Sequence, residues 1–368
     1  MLEKSDRLFV VFSGWNNRAI IALCRFFYKN KYCFCVVAKD ESDYILKTKY
    51  RKYVGYIRKS RILTPDDFIS VIKAVRGNRK EIVICPTSEY LNTFVLNHAE
   101  EFSKYCVVPL VSKNLYDKVT NKASFLEFIQ SHGICIPSTV APAECSLPFV
   151  AKPINNVVDG RSLYPHIIEN VAGLERFYAT ENEVDFFFEE YICGDSFYLC
   201  FYIDENKNYT CFWQKNLVQQ SGGKSVVVAK VVDFNDELLE MKVFSALVGA
   251  GFHGVGMIEF KERDQQYYAI EMNPRFWGPL QLAIDCNSSI VESFCLFEVS
   301  KNRRKVLEGG YLWSGGVLSE LLKLRSLKLY SISFIGVLIC MLKYKDVYFR
   351  KDSLRIFVAE FSTMFLKR

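Results

Sequence analysis

The sequence predicts an α/β protein with an N-terminal parallel-sheet, Rossmann-like domain, then a segment of mixed α+β character, and finally a helical C-terminal tail. Three features of the chain lead to this expectation. Short apolar runs alternate with segments of helical periodicity over the first 110 residues, which is typical of a parallel sheet. Residues 198–230 are rich in β-branched and aromatic residues, as strands are. From residue 301 the chain is basic and helical in character.

Composition restricts the class of protein further. At 368 residues, with half of them apolar and 24% charged, the chain has the profile of a globular protein of two or three domains. The net charge of +6 comes from Lys and Arg scattered among Asp and Glu, so we expect no nucleic-acid partner. The thirteen cysteines lie mostly inside apolar strings, and no C-x-x-C pair occurs. This usage favours reduced, buried thiols and a cytoplasmic protein.

We expect no transmembrane segment and no signal peptide. Only five apolar residues follow the charged N-terminus before Ser13. The longest uncharged run, residues 329–342, is too short to span a bilayer, and a buried helix is its first interpretation. Basic residues flank the run, so weak contact of residues 325–345 with a membrane surface stays open.

The N-terminal segment contains the signals for a parallel sheet. We predict strands at 7–12, 32–38 and 81–87, and helices at 16–30 and 66–78. "SGWNNR" follows the first strand, where a phosphate-binding turn would lie. It has a single glycine, so a plain βα turn is the favoured interpretation.

The next segment contains the signals for further helices and strands. A helix is predicted to end at Gly133 and to be followed by a Pro-containing link, 134–139. Further strands are predicted at 148–153, 185–192, 254–261 and 267–273, with a helix at 236–249 before the last two. The polar loop "ERDQQ" joins these last two strands, which suggests a hairpin.

The hairpin brings carboxylates together. If it is centred on Gln265, Glu259 lies opposite Glu271, and strand alternation places Asn273 on the same side as Glu271. Like charges that face each other destabilise a sheet, so a cation should lie between them. Two carboxylates and an amide oxygen suit Mg²⁺, with Mn²⁺ as the alternative. The competing interpretation is that the two glutamates pair with Lys or Arg, or face solvent.

At this point the sequence resembles a known family. "GVGMIEFKERDQQYYAIEMNPRFWGPLQLAIDCN" is similar to the C-terminal metal-binding segment of the ATP-grasp superfamily, most specifically at "EMNPRFWG" and within the branch of ATP-dependent carboxylate–amine ligases. The resemblance extends from the N-terminus to about Asn287. It implies a pre-ATP-grasp domain at 1–112, an ATP-grasp domain at 113–300 with lobes of about 113–186 and 187–300, and a mostly helical extension at 301–368.

The resemblance also implies roles for individual residues around the phosphates. Glu259, Glu271 and Asn273 would hold Mg²⁺ against the phosphates of ATP, and Arg275 would act catalytically by facing the transferred phosphate. Lys118, in "YDKV", and Lys152, at the end of "PFVAKP", match the family's phosphate-contacting lysines. For each lysine alone, a side chain that reaches solvent is the alternative.

Two further stretches match the family's nucleotide and substrate regions. "FFFEEYICGDS" resembles the adenine hinge, which implies that one stretch lies along the adenine: Glu189, Glu190, Tyr191 and Ile192. The acid that usually bonds the ribose is Ser196 here, and Asp195 could substitute for it. "QKNLVQQSGGKS" resembles the region beside the acceptor, which implies that Lys215, given a catalytic role, and Ser225 lie near substrate. Residues 155–162 are the candidate lid, although glycine-poor for this family.

The resemblance implies an ATP-dependent ligase that activates a carboxylate as an acyl phosphate and joins it to an amine, releasing ADP and phosphate. Its partners would be a small-molecule carboxylate and a small-molecule amine, which the sequence does not name. The oligomeric state is left open, with a homodimer as one option. Two alternatives are kept: a carboxylase-type or phosphate-transfer enzyme of the same fold, and a non-catalytic or regulatory ATP-binding protein.

Overall fold

The computed structural model describes residues 6–141, 147–154, 157–158, 161–220, 225–300, 305–322, 328–329 and 333–366. Residues 6–112 contain a four-stranded parallel sheet, as predicted, in the order β3-β2-β1-β4. Its strands are β1 Arg7–Phe12, β2 Phe34–Ala38, β3 Val54–Ile57 and β4 Glu81–Ile84. Its helices are α1 Asn17–Lys29, α2 Pro65–Arg76, α3 Glu89–Asn97 and α4 Ala99–Phe102. Strands β1 and β2 are almost entirely buried, as expected of parallel strands that are covered on both faces.

A small antiparallel sheet follows two short helices, α5 Lys113–Thr120 and α6 Lys122–Gln130. Its order is β8-β5-β9, with a separate two-stranded pair, β6–β7. The strands are β5 Phe149–Pro153, β6 Val157–Val158, β7 Arg161–Ser162, β8 His166–Ile168 and β9 Phe186–Glu190. Helix α7, Val171–Thr180, covers one face through a cluster that includes Phe149, Phe177 and Phe188. The other face of β5 and β9 is therefore left to face the rest of the molecule.

A large mixed sheet follows, in the order β14-β13-β10-β11-β12-β15-β17, and β16 pairs with β11. Its strands are β10 Asp195–Ile203, β11 Tyr209–Gln219, β12 Val226–Val232, β13 Gly254–Arg263, β14 Gln266–Asn273, β15 Gly310–Leu312, β16 Lys328–Leu329 and β17 Lys345–Asp346. Its remaining helices up to residue 300 are α8 Glu237–Gly249, α9 Leu280–Asp285 and α10 Ile290–Leu296.

The two faces of the large sheet have different neighbours. Phe197, Leu199 and Phe201 of β10 point to one face, where they pack with α5, α6 and α8. Tyr198 and Cys200 point to the other face and join the core shared with the N-terminal sheet, α9 and α10. This alternation along β10 decides which side chains can meet in a site.

The C-terminal segment adds the helices α11 Ser314–Leu322, α12 Phe334–Lys343 and α13 Leu354–Leu366. It was predicted to be mostly helical, but it also supplies β15, β16 and β17 to the large sheet. Asp352 ties it to the N-terminal domain, since its carboxylate pairs with Arg25 at 2.7 Å and accepts from the Tyr50 hydroxyl at 2.6 Å. The division of the chain into three domains stays a prediction.

Helix α12 has an exposed apolar face. Its Val337 and Cys340 are buried, whereas four large apolar side chains are 47–90% exposed: Ile335, Leu338, Ile339 and Leu342. No helix in the described ranges is long and apolar enough to cross a membrane. Residues 325–327 and 330–332 of the predicted membrane-contacting segment lie outside the described residues. Contact with a membrane surface stays a prediction.

The cysteines agree with the prediction of reduced thiols. The twelve described cysteines are free, and most of them are buried. Burial raises the pKa of Cys85 and of Cys200 well above the usual value, which keeps these thiols protonated. They act as small apolar side chains.

Candidate active site

The hairpin of β13 and β14 pairs the two predicted carboxylates. Glu259 lies opposite Glu271, which confirms the predicted pairing, and Met257 lies opposite Asn273. The hairpin is not symmetric about Gln265, however, as the prediction assumed. The turn contains only Asp264 and Gln265, with φ of 53° and 64° as in a type I′ turn, and a bulge after Glu259 shifts the register by one residue. The bulge thus restores the pairing that a hairpin centred on Gln265 would have.

Glu271, Asn273 and Arg275 form a connected set. The Asn273 amide Nδ2 donates to Glu271 Oε1 at 2.8 Å, and Arg275 Nη2 donates to Asn273 Oδ1 at 2.9 Å. The segment after Asn273 is held by the N-terminal domain, because the amide nitrogens of the Asn16 and Asn92 side chains donate to the carbonyls of Phe276 and Pro274. The N-terminal domain therefore fixes the position of Arg275.

The two facing carboxylates have different pKa shifts. Burial raises the pKa of Glu259, and the charge of Glu271 adds to this, although Lys261 opposes it. Burial acts in the same direction on Glu271, but Lys122, the Asn273 hydrogen bond, Lys152 and Arg275 together lower its pKa. Cations from several elements thus surround the pair, as expected where negative charge is concentrated.

A buried chain of hydrogen bonds orients Glu259. Gln214 Nε2 donates to Asn216 Oδ1 at 2.8 Å, Asn216 Nδ2 donates to Ser196 Oγ at 2.9 Å, and Ser196 Oγ donates to Glu259 Oε1 at 3.0 Å. Gln214, Asn216 and Ser196 are completely buried. Sequence reasoning missed this chain. Its signal was a set of polar residues at alternate positions of otherwise apolar strands, which are costly to bury without partners.

The small sheet presents a second buried ion pair toward these groups. Lys152 of β5 and Glu189 of β9 pair with each other and are 5% and 3% exposed. Burial raises the pKa of Glu189, with Lys152 and Lys122 opposing this and Glu271 adding to it. Glu189 Oε2 makes no hydrogen bond with any described residue. The polar faces of the two sheets are thus close enough to act on each other, and the predicted residues Lys152, Glu189, Glu259 and Glu271 meet between them.

The predicted hinge connects the two sheets, since it follows β9 and leads into β10. Glu190 pairs with Arg263, and the Glu190 backbone N–H donates to the Ser138 carbonyl at 2.9 Å. Ile192 is buried. A Cβ at Gly194 would lie 1.7 Å from the Glu262 carbonyl oxygen, so only glycine allows this approach. Contact of 189–192 with adenine stays a prediction.

Two predicted site residues lie elsewhere. Lys215 pairs with Asp195, and its Nζ lies 5.5 Å from the ring centroid of Phe197, which is on the face of the large sheet opposite Glu259. The structure therefore brings neither Lys215 to the carboxylates nor Asp195 to the position expected of the ribose-bonding acid. The reason is strand alternation: Asp195 precedes Ser196 by one residue and points the other way.

The helical segment α5–α6 presents a different lysine from the expected one. Lys118 is exposed and lies 4.8 Å from the ring centroid of Phe128. Lys122 is partly buried, and its charge lowers the pKa of both Glu189 and Glu271. Sequence reasoning missed Lys122, which begins α6 four residues after Lys118.

Parts of two predicted loops lie outside the described residues. In the candidate lid these are residues 155, 156, 159 and 160, while β6 and β7 pair with each other. The Gly-Gly turn, 221–224, also lies outside them. Ser225, which follows it, accepts a hydrogen bond from Arg18 at 3.2 Å.

A cavity of about 370 Å³ adjoins the hairpin set. The N-terminal domain supplies Trp15, Asn16, Arg18 and the residues 87–89, and the large sheet supplies Tyr198 and Ser225. Glu271, Asn273 and Arg275 line the same cavity. Its size suits a small-molecule substrate.

A parallel N-terminal sheet, a small sheet and a large sheet whose polar faces meet, and an E-x-N hairpin at their junction together define the ATP-grasp fold, and this chain has that fold. The sequence matches no protein-family model and no curated protein.

Solved structures are similar over most of the chain. The biotin carboxylase domain of 2-oxoglutarate carboxylase from Hydrogenobacter thermophilus, in complex with MgADP, ADP and bicarbonate, has a TM-score of 0.63 and 16% identity, covering 83% of this chain and 73% of that one. The ADP complex of PurK, N5-carboxyaminoimidazole ribonucleotide synthetase, has a TM-score of 0.61 and 13% identity, covering 87% and 85%. The same synthetase from Thermus thermophilus has a TM-score of 0.58 and 12% identity, covering 82% and 81%.

Proposed function

We propose that this chain is an ATP-dependent, ADP-forming ligase that activates a carboxylate as an acyl phosphate and joins it to an amine. The observation that carries the proposal is the meeting of the hairpin set, Glu259, Glu271 and Asn273, with Lys152 and Lys122 between the two sheets. Carboxylates and cations concentrated in one cleft are what a magnesium–triphosphate complex needs. The bound ADP and magnesium of the structural neighbours agree with it.

The residues present fit a magnesium ion. Glu259, Glu271 and Asn273 offer three hard oxygen donors, the ligand type that Mg²⁺ prefers. Magnesium at this place would neutralise charge on the phosphates. Asn273 Oδ1 now accepts from Arg275. As a metal ligand it would give up that bond, which leaves the guanidinium available to an anion.

The reaction proceeds in two balanced steps. The substrate carboxylate oxygen attacks the γ-phosphorus of ATP, and the bond to the β-phosphate oxygen breaks, which gives an acyl phosphate and ADP. A neutral amine then attacks the acyl carbon, the C–O bond to phosphate breaks, and the amine proton leaves with the phosphate. Lys152 and Lys122 bind the phosphates, and Arg275 stabilises the charge on the transferred group. The chain thus acts mainly by positioning and electrostatics.

An ADP-release assay tests the proposal. Purified protein with Mg²⁺ and ATP would be offered pools of carboxylic acids, bicarbonate among them, with and without pools of amines. Release of ADP that depends on both an acid and an amine is the expected result. Release with bicarbonate and no added amine would support the carboxylase-type alternative. Tight ATP binding without turnover in any pool would overturn the ligase and support the regulatory ATP-binding protein.

A substitution at Glu271 tests the assignment of the magnesium ligands. Glu271→Gln removes one charge at nearly constant volume and should reduce turnover by about 100-fold or more, since metal charge stabilisation is worth several kcal/mol. Glu262→Gln is the matched control: it changes the same residue type in the same hairpin, on the opposite face of β13. Equal turnover of the two variants would contradict the assignment.

A further inference from the structure

The cavity beside the hairpin contains an arginine that is firmly held. Arg18 Nη1 donates to the Val226 carbonyl at 2.8 Å and to the Tyr311 hydroxyl at 3.3 Å, and Nη2 donates to Ser225 Oγ. The guanidinium lies 4.2 Å from the ring centroid of Trp313. A Cβ on Gly278 would come within 2.8 Å of Nη2, so the glycine makes room for it. The head group is thus preorganised at the cavity wall.

The charge of Arg18 has no ion-pair partner in the described part of the chain. All three of its hydrogen-bond acceptors are neutral oxygens. It also lies in the first turn of α1, which contains no acidic residue, and a cation is unfavourable beside the positive end of a helix. Glu360 acts on it from behind Trp313, but burial raises the pKa of Glu360 to about 7, so this carboxyl is only partly ionised near neutral pH. A bound anion would pair with the guanidinium charge, and it would also be favourable beside the positive end of α1.

Other groups around the cavity favour an anion as well. Helix α3 begins at the cavity, with Ser88 as its N-cap. Trp277 is 1% exposed, and its indole N–H makes no hydrogen bond with the described residues. Two carboxylates on the same cavity are unfavourable to an anion: the exposed Glu89, and Glu271 of the hairpin. An anion should therefore be held at the Arg18 side of the cavity, away from Glu89.

We propose that the acid substrate carries a second anionic group, a carboxylate or a phosphate, which Arg18 binds while the reacting carboxylate lies at Arg275. This rests on the proposed ligase function, because Arg275 and the hairpin define the reacting end. Arg18 becomes the residue that selects dianionic acids over monoanionic ones. The substrate class is then a small dicarboxylic acid or a phosphorylated carboxylic acid.

Calorimetric binding in the presence of ADP and Mg²⁺ tests this without turnover. The probes are two matched pairs, succinate with butyrate and 3-phosphoglycerate with glycerate. We expect succinate or 3-phosphoglycerate, each of which carries a second anionic group, to bind about tenfold more tightly than its monoanionic partner, since one charge-assisted contact is worth about 1.5–3 kcal/mol. Comparing the affinities of succinate and 3-phosphoglycerate shows whether the second anionic group is a carboxylate or a phosphate.

Substitutions at Arg18 test whether this residue causes the tighter binding of acids that carry a second anionic group. Arg18→Met should remove the preference for the dianion and leave monoanion binding within about twofold, while Arg18→Lys should keep part of it. Glu89→Gln, a substitution at an exposed residue, should strengthen dianion binding because it removes a like charge. No preference in the native protein, or equal losses for dianion and monoanion in Arg18→Met, would overturn the inference. Arg18-dependent dianion binding without ADP release would instead leave the inference standing and remove the ligase function.

Discussion

The hairpin set and the Arg18 cavity adjoin each other but are built in different ways. Glu259, Glu271 and Asn273 come from one hairpin of 20 residues, and local pairing alone brings them together. Arg18 reaches the cavity from the first helix, and its contacts come from β12, β15 and the residues beside them. The hairpin set therefore depends on strand register, and the cavity depends on the docking of distant segments. The two parts should respond to different substitutions.

The largest effect is expected at Asp352, which joins the C-terminal segment to the N-terminal domain. Asp352→Asn leaves the partly buried Arg25 without its ion pair and should lower the free energy of unfolding by about 3 kcal/mol in urea titrations at pH 7. It should also weaken binding of the dianionic probes, while binding of Mn²⁺ and ADP at the hairpin changes little. Asp40→Asn, in an ion pair with the largely exposed Arg61, is the control and should change the stability much less than Asp352→Asn does.

The pH dependence of the same ion pair has a definite sign. Arg25 and the Tyr50 hydroxyl hold the pKa of Asp352 below its ordinary 3.8, despite the opposing effect of burial. This stability is therefore present above about pH 4 and lost as the pH falls further. A native protein that lost no more stability in acid than Asp352→Asn would contradict the assignment.

A second effect of opposite sign is expected at Glu360, behind the Arg18 cavity. Its pKa is raised from 4.5 to about 7 by burial, so the carboxyl stabilises the fold below about pH 4.5 and loses this advantage as the pH rises through 7. The loss is about 3 kcal/mol. Glu360→Gln should be more stable than the native protein above pH 7 in thermal unfolding, and the difference should vanish near pH 4. A difference that did not change with pH would show that Glu360 is not protonated in the native state.

The hairpin set can be disturbed alone at Ser196. Ser196→Ala breaks the chain of hydrogen bonds that ends at Glu259 and should weaken Mn²⁺ binding by about 10- to 100-fold, measured by electron paramagnetic resonance without turnover. Arg18-dependent binding of the dianion should persist. Thr210→Val, which removes a hydroxyl of β11 that bonds Ser289, is the control. Equal Mn²⁺ affinity of the two variants would show that Ser196 does not orient Glu259 for metal binding.

The smallest effect concerns neither part of the site. If the exposed face of α12 contacts a membrane, the protein should pellet weakly with anionic vesicles, and Leu342→Glu should abolish this. Ile62→Glu, which changes another exposed apolar residue, should not. No pelleting of the native protein would end the prediction.

The contrast between local strand pairing and the docking of distant segments explains which parts of the structure could be predicted from the sequence. The parallel sheet and the pairing of Glu259 with Glu271 followed from periodicity, which is local information. Asp195 and Lys215 lie on the face of the large sheet opposite Glu259, because a shift of one residue along a strand reverses the face, and their predicted roles stay predictions. Arg18 could not be found from the sequence at all, since its proposed role depends on contacts with residues more than 200 positions away.

The short strands of the C-terminal segment have a consequence for assembly. Strand β15 covers the outer edge of β12, and β17 covers β15. A chain shortened before residue 305 would present the unpaired N–H and C=O groups of β12 as an open sheet edge, on a strand of sequence VVVAKVV. Such an edge is a template for pairing with another chain, so the segment that supports Arg18 also protects the protein from aggregation.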